Sequence, residues 1–388
     1  MTLWILEARD PLIFGDGKPF SAIPGSRAKS LPAPYPSTLA GSVRTRAGTD
    51  PASGKFVAAR IPELLQQQVR GPFLVELSDS GVAPAIQEWL LPAPADALLL
   101  QDGTRRRLRP LRLPAGASTN LQDLAIVGTA AAVKQKPADK PPLYWRWPAY
   151  LGWLQAPADG PVAPDDLGHA GPVREARVHV SIDTGTQRAD EGALFQTSGM
   201  EYNRISSPDS KELSALRRFA LALETSASVT PGIAFLGGER RVVRWSKADA
   251  PLPACPPELR RLIIAQRACR LVLVTPGCFD KGWQPAWVLS AAPGVTATLV
   301  GAAVARYQTV SGWDYAAQPG RPKPTRRLAP AGSVYFLKLE GDEAAIGWFV
   351  DAVWLQPISD SQQDRLDGFG LALAGAWDGK LCDVEVAK

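Results

Sequence analysis

Two histidines, His169 and His179, are the only side chains whose ordinary pKa suits proton transfer near neutrality. His179 shares one face of an alternating stretch with Ser181 and Asp183. Residues two apart on a strand lie side by side, so these three cannot form a nucleophile–base–acid relay and read as a polar strand face. His169 stands in Gly168-His169-Ala170-Gly171, a glycine loop, and reads as exposed. Cys255, Cys269, Cys278 and Cys382 contain no C-x-x-C pair, which excludes a zinc site of the usual spacing and a redox dithiol. Four scattered thiols suit a reducing, cytoplasmic setting. Gly17-Lys18 and Gly379-Lys380 lack the following Ser or Thr of a phosphate loop, and Gly368-x-Gly370 lacks the third glycine of a dinucleotide fingerprint. No catalytic residue, metal site or cofactor is expected.

Anion binding is better provided for. Arg105-Arg106-Arg107-Leu108-Arg109 with Arg112 forms one basic run. Arg240, Arg241, Arg244 and Lys247 follow Gly237-Gly238; Arg321, Lys323, Arg326 and Arg327 follow Gly312-Trp313. Guanidinium groups fork onto phosphates and stack on bases, and a neighbouring glycine lets backbone N–H groups approach the same phosphate. Tyr144, Trp145, Trp147, Tyr150 and Trp153 cluster among the 12 tryptophans and 7 tyrosines. Such rings stack unpaired bases or fill a core, and core packing is the commoner use.

Charge is distributed unevenly. Residues 340–388 carry ten acidic and three basic side chains, a net of −7 that leaves +12 on residues 1–339. A basic body attracts polyanions; the acidic end either solubilises the chain or meets a basic protein surface.

These residues need elements to hold them. With 388 residues, the chain is long enough for two domains, and its 36 prolines and 34 glycines announce many turns and long loops. Residues 3–6 read as a strand. Ser37 is placed to cap a helix that turns Leu39 and Val43 inward and carries Arg44 and Arg46 near its end. Residues 87–91 and 121–133 are weaker apolar segments. At 174–183 the alternation of Val178, Val180 and Ile182 predicts a half-buried strand, with a turn at Asp183-Thr184-Gly185 and a return strand from Ala193. Further strands are expected at 219–223, 242–245, 270–274, 333–339, 345–353 and 381–386. The uncharged stretch 282–305 is split by Pro293-Gly294 and reads as strand–turn–strand rather than a membrane span.

A faint repeat runs through the chain. Pro11-x-x-Phe14-x-x-Gly17 recurs as Pro276-x-x-Phe279-x-x-Gly282, each copy after an apolar strand. A glycine-rich loop also precedes a late strand twice, at Gly237-Gly238 and at Gly368, Gly370 and Gly375. Two copies of one module would produce this.

Taken in order, the segments resemble one family, the third subunit of the type III-B (Cmr) CRISPR effector. The resemblance rests on Leu6-Glu7-Ala8-Arg9-Asp10-Pro11-Leu12-Ile13-Phe14 with Asp16-Gly17-Lys18-Pro19-Phe20, and on Pro36-Ser37-Thr38-Leu39-Ala40-Gly41 with Arg44. It continues through His179 to Asp183, Glu191-Gly192-Ala193-Leu194-Phe195 and Gly237-Gly238-Glu239-Arg240-Arg241. Ser311-Gly312-Trp313-Asp314, Pro330 to Tyr335 and Gly368-Phe369-Gly370 through Gly375 complete it. Residues 90–140 have no counterpart. The resemblance implies an α+β fold of two ferredoxin-like (RRM-like, RAMP) modules with long loop insertions, at 1–250 and 251–388. It implies a non-catalytic, cytoplasmic RNA-binding scaffold in antiviral defence. That scaffold holds the 5′ handle of the guide RNA (crRNA) and docks the large polymerase-like subunit and the backbone RAMP subunits. The RNA-binding residues expected on this basis are Ser37, Thr38, Arg44, Arg46, Gly238, Arg240, Arg241, Gly312, Trp313, Lys323, Arg326, Arg327, Gly368, Gly370 and Gly375. Two readings compete with it: a RAMP endoribonuclease that processes guide RNA through a histidine, and a structural adaptor that never touches RNA.

Overall fold

The computed structural model describes residues 1–15, 27–28, 30–78, 84–205, 216–290, 293–314 and 320–384. The chain divides into two units. The first comprises Met1–Gln87, Gly171–Ala250 and Thr309–Arg326, and the second Glu88–Ala170, Pro251–Gln308 and Arg327–Lys388. Helices are few and the sheets are mainly antiparallel.

In the first unit four strands and a helix form the centre: β1 (Thr2–Ala8), α1 (Pro36–Gly48), β2 (Val69–Leu77), β3 (Leu216–Thr225) and β4 (Val242–Lys247). They pair antiparallel in the order β2-β3-β1-β4, with Ile5 opposite both Ala222 and Ser246. Pro36 presets the first helical φ, and Leu39 and Val43, four residues apart, turn one face of α1 onto β2. Ile5, Leu39, Val43 and Trp245 are fully buried, each stabilising by ~1.5–3 kcal/mol over exposure. The helix starts earlier than Ser37 suggests. Tyr35 is the N-cap residue and Ser37 lies in the first turn without capping, because the rigid Pro36 ring already sets the entry angle.

The second unit repeats the order. Its centre is α2 (Pro257–Gln266), β5 (Ala268–Leu273), β6 (Val295–Ala303), β7 (Val334–Gly341), α3 (Glu343–Val353) and β8 (Leu371–Ala376). The strands pair antiparallel as β6-β7-β5-β8. Two expected strands are corrected here. Residues 345–353 are helical: the Asp342 side chain accepts from the Ala345 N–H at 2.7 Å, and Ile346, Phe349, Val350 and Val353 are buried at helical spacing. The final core strand is β8 rather than 381–386, of which, among the described residues, Cys382–Asp383 are in a strand. Its Leu-Ala-Leu-Ala-Gly-Ala run looked like a loop because it lacks β-branched residues. Both its faces are buried, and a Cβ on Gly375 would stand 3.2 Å from the Leu154 carbonyl oxygen. Within 282–305, a short helix, Ala286–Ser290, replaces the first expected strand.

The aromatic cluster at 144–153 belongs to the core of this unit, since Trp145, Tyr150 and Trp153 are buried. They enclose a charge. Arg270, 1% exposed, pairs with Asp96, 2% exposed, and also donates to the Trp153 and Ala376 carbonyls. Trp153 Nε1 donates to the other Asp96 oxygen at 2.8 Å.

One prediction is inverted. Val173–Ile182 and Ala189–Glu201 pair as a long hairpin through a turn at Asp183. Val178, Val180 and Ile182 nevertheless face solvent, Val178 at 68% exposure. The polar side is the more covered one at His179 and Ser181, which are half-buried: His179 bonds Thr197 Oγ1 at 2.8 Å and stacks on Phe195. Alternation reports two unlike faces and does not say which is inside. No helix of the described residues is long and apolar enough to cross a membrane.

Candidate nucleic-acid interface

At the edge of the first unit's sheet, residues Gly232–Phe235 pair with β4, Ile233 opposite Arg244. The alternation leaves Ile233 and Phe235 exposed, Phe235 at 52%. The chain then makes a tight turn. Gly237 takes φ +79°, and a Cβ there would lie 2.3 Å from the Ile13 carbonyl oxygen. The Gly238 N–H donates to that same oxygen at 2.7 Å, so this amide holds the turn to the strand exit. Glu239 and Arg240 follow with φ of 53° and 52°, a left-handed pair costing on the order of 1 kcal/mol per residue. The strained turn separates two adjacent arginines. Arg240 is exposed with its guanidinium 4.6 Å from the centre of the Phe235 ring. Arg241 turns inward and pairs with Glu239 at 3.1 Å.

Segment 309–326 brings two further predicted residues together. The Lys323 N–H donates to the Gly312 carbonyl at 2.8 Å, and Ser311 Oγ donates to the Lys323 carbonyl at 3.0 Å. Trp313 pairs with Pro322 on the two-residue ladder beyond, and Lys323 is exposed. The Tyr35 hydroxyl donates to the Thr309 carbonyl at 3.0 Å, tying the start of α1, with Ser37 and Thr38, to this hairpin.

The helix arginines are bound inward. Arg44 donates to the Leu64 and Leu65 carbonyls. Arg46 donates to the carbonyls of Thr230, Pro231 and Ile233 and lies over Trp245, and burial lowers its pKa from the ordinary arginine value. These guanidiniums hold loops. Lys18 and Gly17, part of the family-like opening, lie outside the described residues.

The glycine loop of the second unit is likewise engaged by protein. Gly368 caps the helix Gln362–Asp367 at φ +93°, and its carbonyl accepts from Thr275 Oγ1 at 2.7 Å. The Gly370 N–H donates to Pro276 at 2.8 Å, and a Cβ there would meet Ser359 Oγ at 2.8 Å. Gly368, Gly370 and Gly375 are all buried. Arg326 and Arg327 open the strand Arg326–Ala329, and Arg327 is exposed with its guanidinium 4.9 Å from the centre of the Tyr307 ring.

The basic run at 105–109 is partly built in. Arg105 stands over Trp153 at 4.7 Å, and burial lowers its pKa. Arg106 pairs with Asp159, and Arg107 donates to the Pro157 carbonyl. Sequence reasoning missed Phe235 and Tyr307. The signal for Phe235 was an alternating Gly-Ile-Ala-Phe run ending at the glycine pair; for Tyr307 it was a lone ring between Arg306 and a polar stretch.

In chemical terms the arrangement offers cations and flat rings to an anionic, aromatic ligand. His179 is engaged with Thr197, away from Asp183, whose carboxylate caps the turn at Thr186. No group of three or more potential metal ligands occurs among the described residues.

No curated protein matches the sequence. Two solved structures are similar at 14% identity, each alignment covering 86% of this chain and 86% of the other. One, at a TM-score of 0.45, is "Cryo-EM structure of the Type III-B Cmr-beta bound to cognate target RNA and AMPPnP, state 1". The other, at 0.46, is "Cryo-EM structure of the Type III-B Cmr-beta bound to cognate target RNA". Residues 4–377, nearly the whole chain, match the family described as CRISPR-associated protein (Cas_Cmr3), and the chain belongs to that family.

Proposed function

We propose that this chain is a non-catalytic, cytoplasmic RNA-binding scaffold of a type III-B CRISPR effector, holding the 5′ handle of the guide RNA. The observation that carries the RNA contact is the exposed arginine-on-ring pair, present in each unit as Arg240–Phe235 and Arg327–Tyr307. An aromatic ring stacks a base while the guanidinium takes the phosphate, the combination single strands need. Lys323 adds an exposed cation at the Gly312 hairpin, and the buried glycines and Arg44 and Arg46 support the scaffold. The repeated strand order, β2-β3-β1-β4 and β6-β7-β5-β8, supports reading two ferredoxin-like modules, divided near residue 250. The apolar outer face of the 173–201 hairpin offers a docking surface for a neighbouring subunit, the large polymerase-like subunit or a backbone RAMP subunit.

The test is binding of handle RNA at several salt concentrations. Substituting Phe235 and Arg240 by Ala, or Arg326 and Arg327 by Ala, should weaken binding about tenfold and flatten the salt slope by ~0.7 per lost contact. Arg106 and Arg107, engaged with Asp159 and Pro157, are the control. Equal losses in all three variants would reduce the site to general charge attraction. Specific RNA cleavage abolished by His179→Ala would make the chain a nuclease.

A further inference from the structure

Within the 90–140 segment, which carries none of the family-like motifs quoted above, residues 121–127 form one wall of a cleft of about 640 Å³ in the second unit. Leu124 and Ile126 line that wall, and Trp283 and Tyr307 line the other. The volume falls within the ~300–1,000 Å³ usual for small-ligand sites. The wall is fixed to the sheet at a bulge. The pairing of β6 with β7 shifts between Leu299 and Gly301, and the Val300 carbonyl accepts from the Ala125 N–H at 2.8 Å. A Cβ on Gly301 would come 2.9 Å from the Ala125 oxygen, so glycine admits this approach. Opposite, the Trp283 carbonyl accepts from the buried Tyr335 hydroxyl at 2.7 Å.

The mouth is both apolar and basic. Ile126, Trp283 and Tyr307 are 37%, 37% and 47% exposed, unusual for rings and aliphatic side chains gathered in one place. Lys281, Arg306 and Arg327 stand around them, and no acidic side chain lines the cleft among the described residues. Lys281 and Arg306 form no ion pair among the described residues, and Arg327 lies over the Tyr307 ring. A purely apolar occupant would leave the Lys281 and Arg306 cations uncompensated, and a simple anion would leave the rings uncovered. A nucleotide satisfies both.

The geometry points to this cleft as a pocket for one unstacked base of single-stranded RNA, with the base between the Trp283 and Tyr307 side and the Leu124–Ile126 wall, and its flanking phosphates on Lys281 and Arg306. The inference rests on the RNA-binding reading and deepens its Arg327–Tyr307 contact into a pocket, one wall of which is built by residues 121–127.

The test uses the full chain and a short oligouridine carrying a photoreactive 4-thiouridine. Crosslinks are expected on peptides containing Trp283 or Tyr307. Tyr307→Ala should weaken binding about tenfold, with Tyr307→Phe retaining it because the ring remains. An abasic oligomer of equal length should bind the wild type more weakly and should not distinguish it from Tyr307→Ala. Melting curves establish that each variant is folded, and Trp283→Ala supplies an independent ring deletion. If both ring deletions bind RNA normally while the Phe235 and Arg240 variant does not, the cleft proposal and the Arg327–Tyr307 contact fail together, and the RNA-binding reading stands on Arg240–Phe235 alone. If the wild-type chain binds no RNA, both fail. If adenosine monophosphate competes as well as the oligomer, the pocket takes free nucleotides and the strand proposal is wrong.

Discussion

The two units place the same strand order around opposite solutions to charge. The first leaves the arginine side of most sheet ion pairs in water: Arg218 and Arg9 both reach Glu7, and Arg217 reaches Glu76, with the carboxylates buried and these arginines 33–47% exposed, while Arg70 and Glu224 are 16% and 14% exposed. The second buries one pair, Arg270–Asp96, against Trp153 and the last core strand. A half-exposed pair retains water as a fallback, whereas a buried pair depends wholly on its partner. They differ in cover as well. Helix α3 stands between β7 and β8, while the connection from β3 to β4 holds only the edge strand and the left-handed turn that presents Arg240. Where the second unit uses that connection to seal its core, the first uses it to display an arginine on a ring.

The comparison breaks hardest at Asp96. Asp96→Ala strands Arg270 in the core and should cost ~3–5 kcal/mol, read as lost hydrogen-exchange protection of β5 and β8 amides in urea. Adding Arg270→Leu should recover part of that loss; a double variant no better than the single would mean that packing, not charge, was lost. The repeat is probed next. Gly237→Val and Gly370→Val each force a side chain into a left-handed position against protein, and each should cost ~1–3 kcal/mol in thermal unfolding. Equal penalties would make the two glycine turns equivalent parts of two modules.

Alkaline pH separates the units further, because all four cysteines belong to the second. Burial raises the Cys269 thiol from 9.0 to about 12. The unfolded chain therefore loses this proton first, and stability falls as pH rises from 9 toward 12. The expected loss is ~1 kcal/mol over the first pH unit, confined to the second unit and reduced in Cys269→Ala. The smallest effect belongs to the first unit. Arg218→Ala leaves Arg9 on Glu7 and should cost less than ~1 kcal/mol, shrinking further in high salt.

Most of the strand positions were legible because buried runs such as β1 and β5 are apolar and sharply bounded. The offset between Pro11 and Pro276 was also informative: Phe14 and Phe279 are both buried just after the first core strand of their units. In both units the later glycine turn donates an N–H to this segment, Gly238 to Ile13 and Gly370 to Pro276. What was not legible depended on partners distant in sequence. Nothing at residue 345 announces that Asp342 caps a helix rather than ending a strand. Charge alone cannot tell Arg240, which lies on an exposed ring, from Arg46, which carbonyls of 230–233 claim. Glycines beside arginines suggested a phosphate cradle, but the Gly238 amide already has the Ile13 carbonyl as its acceptor.

β1 lies at the middle of the first sheet, flanked on both sides by strands far along the chain, Leu216–Thr225 and Val242–Lys247. During synthesis it must therefore wait for both neighbours. At ~5–20 residues per second that interval is on the order of tens of seconds, during which an almost wholly apolar strand has no permanent partner. The ribosome-bound chain is most exposed to misassembly in this window, and slower translation through residues 9–215 would lengthen it.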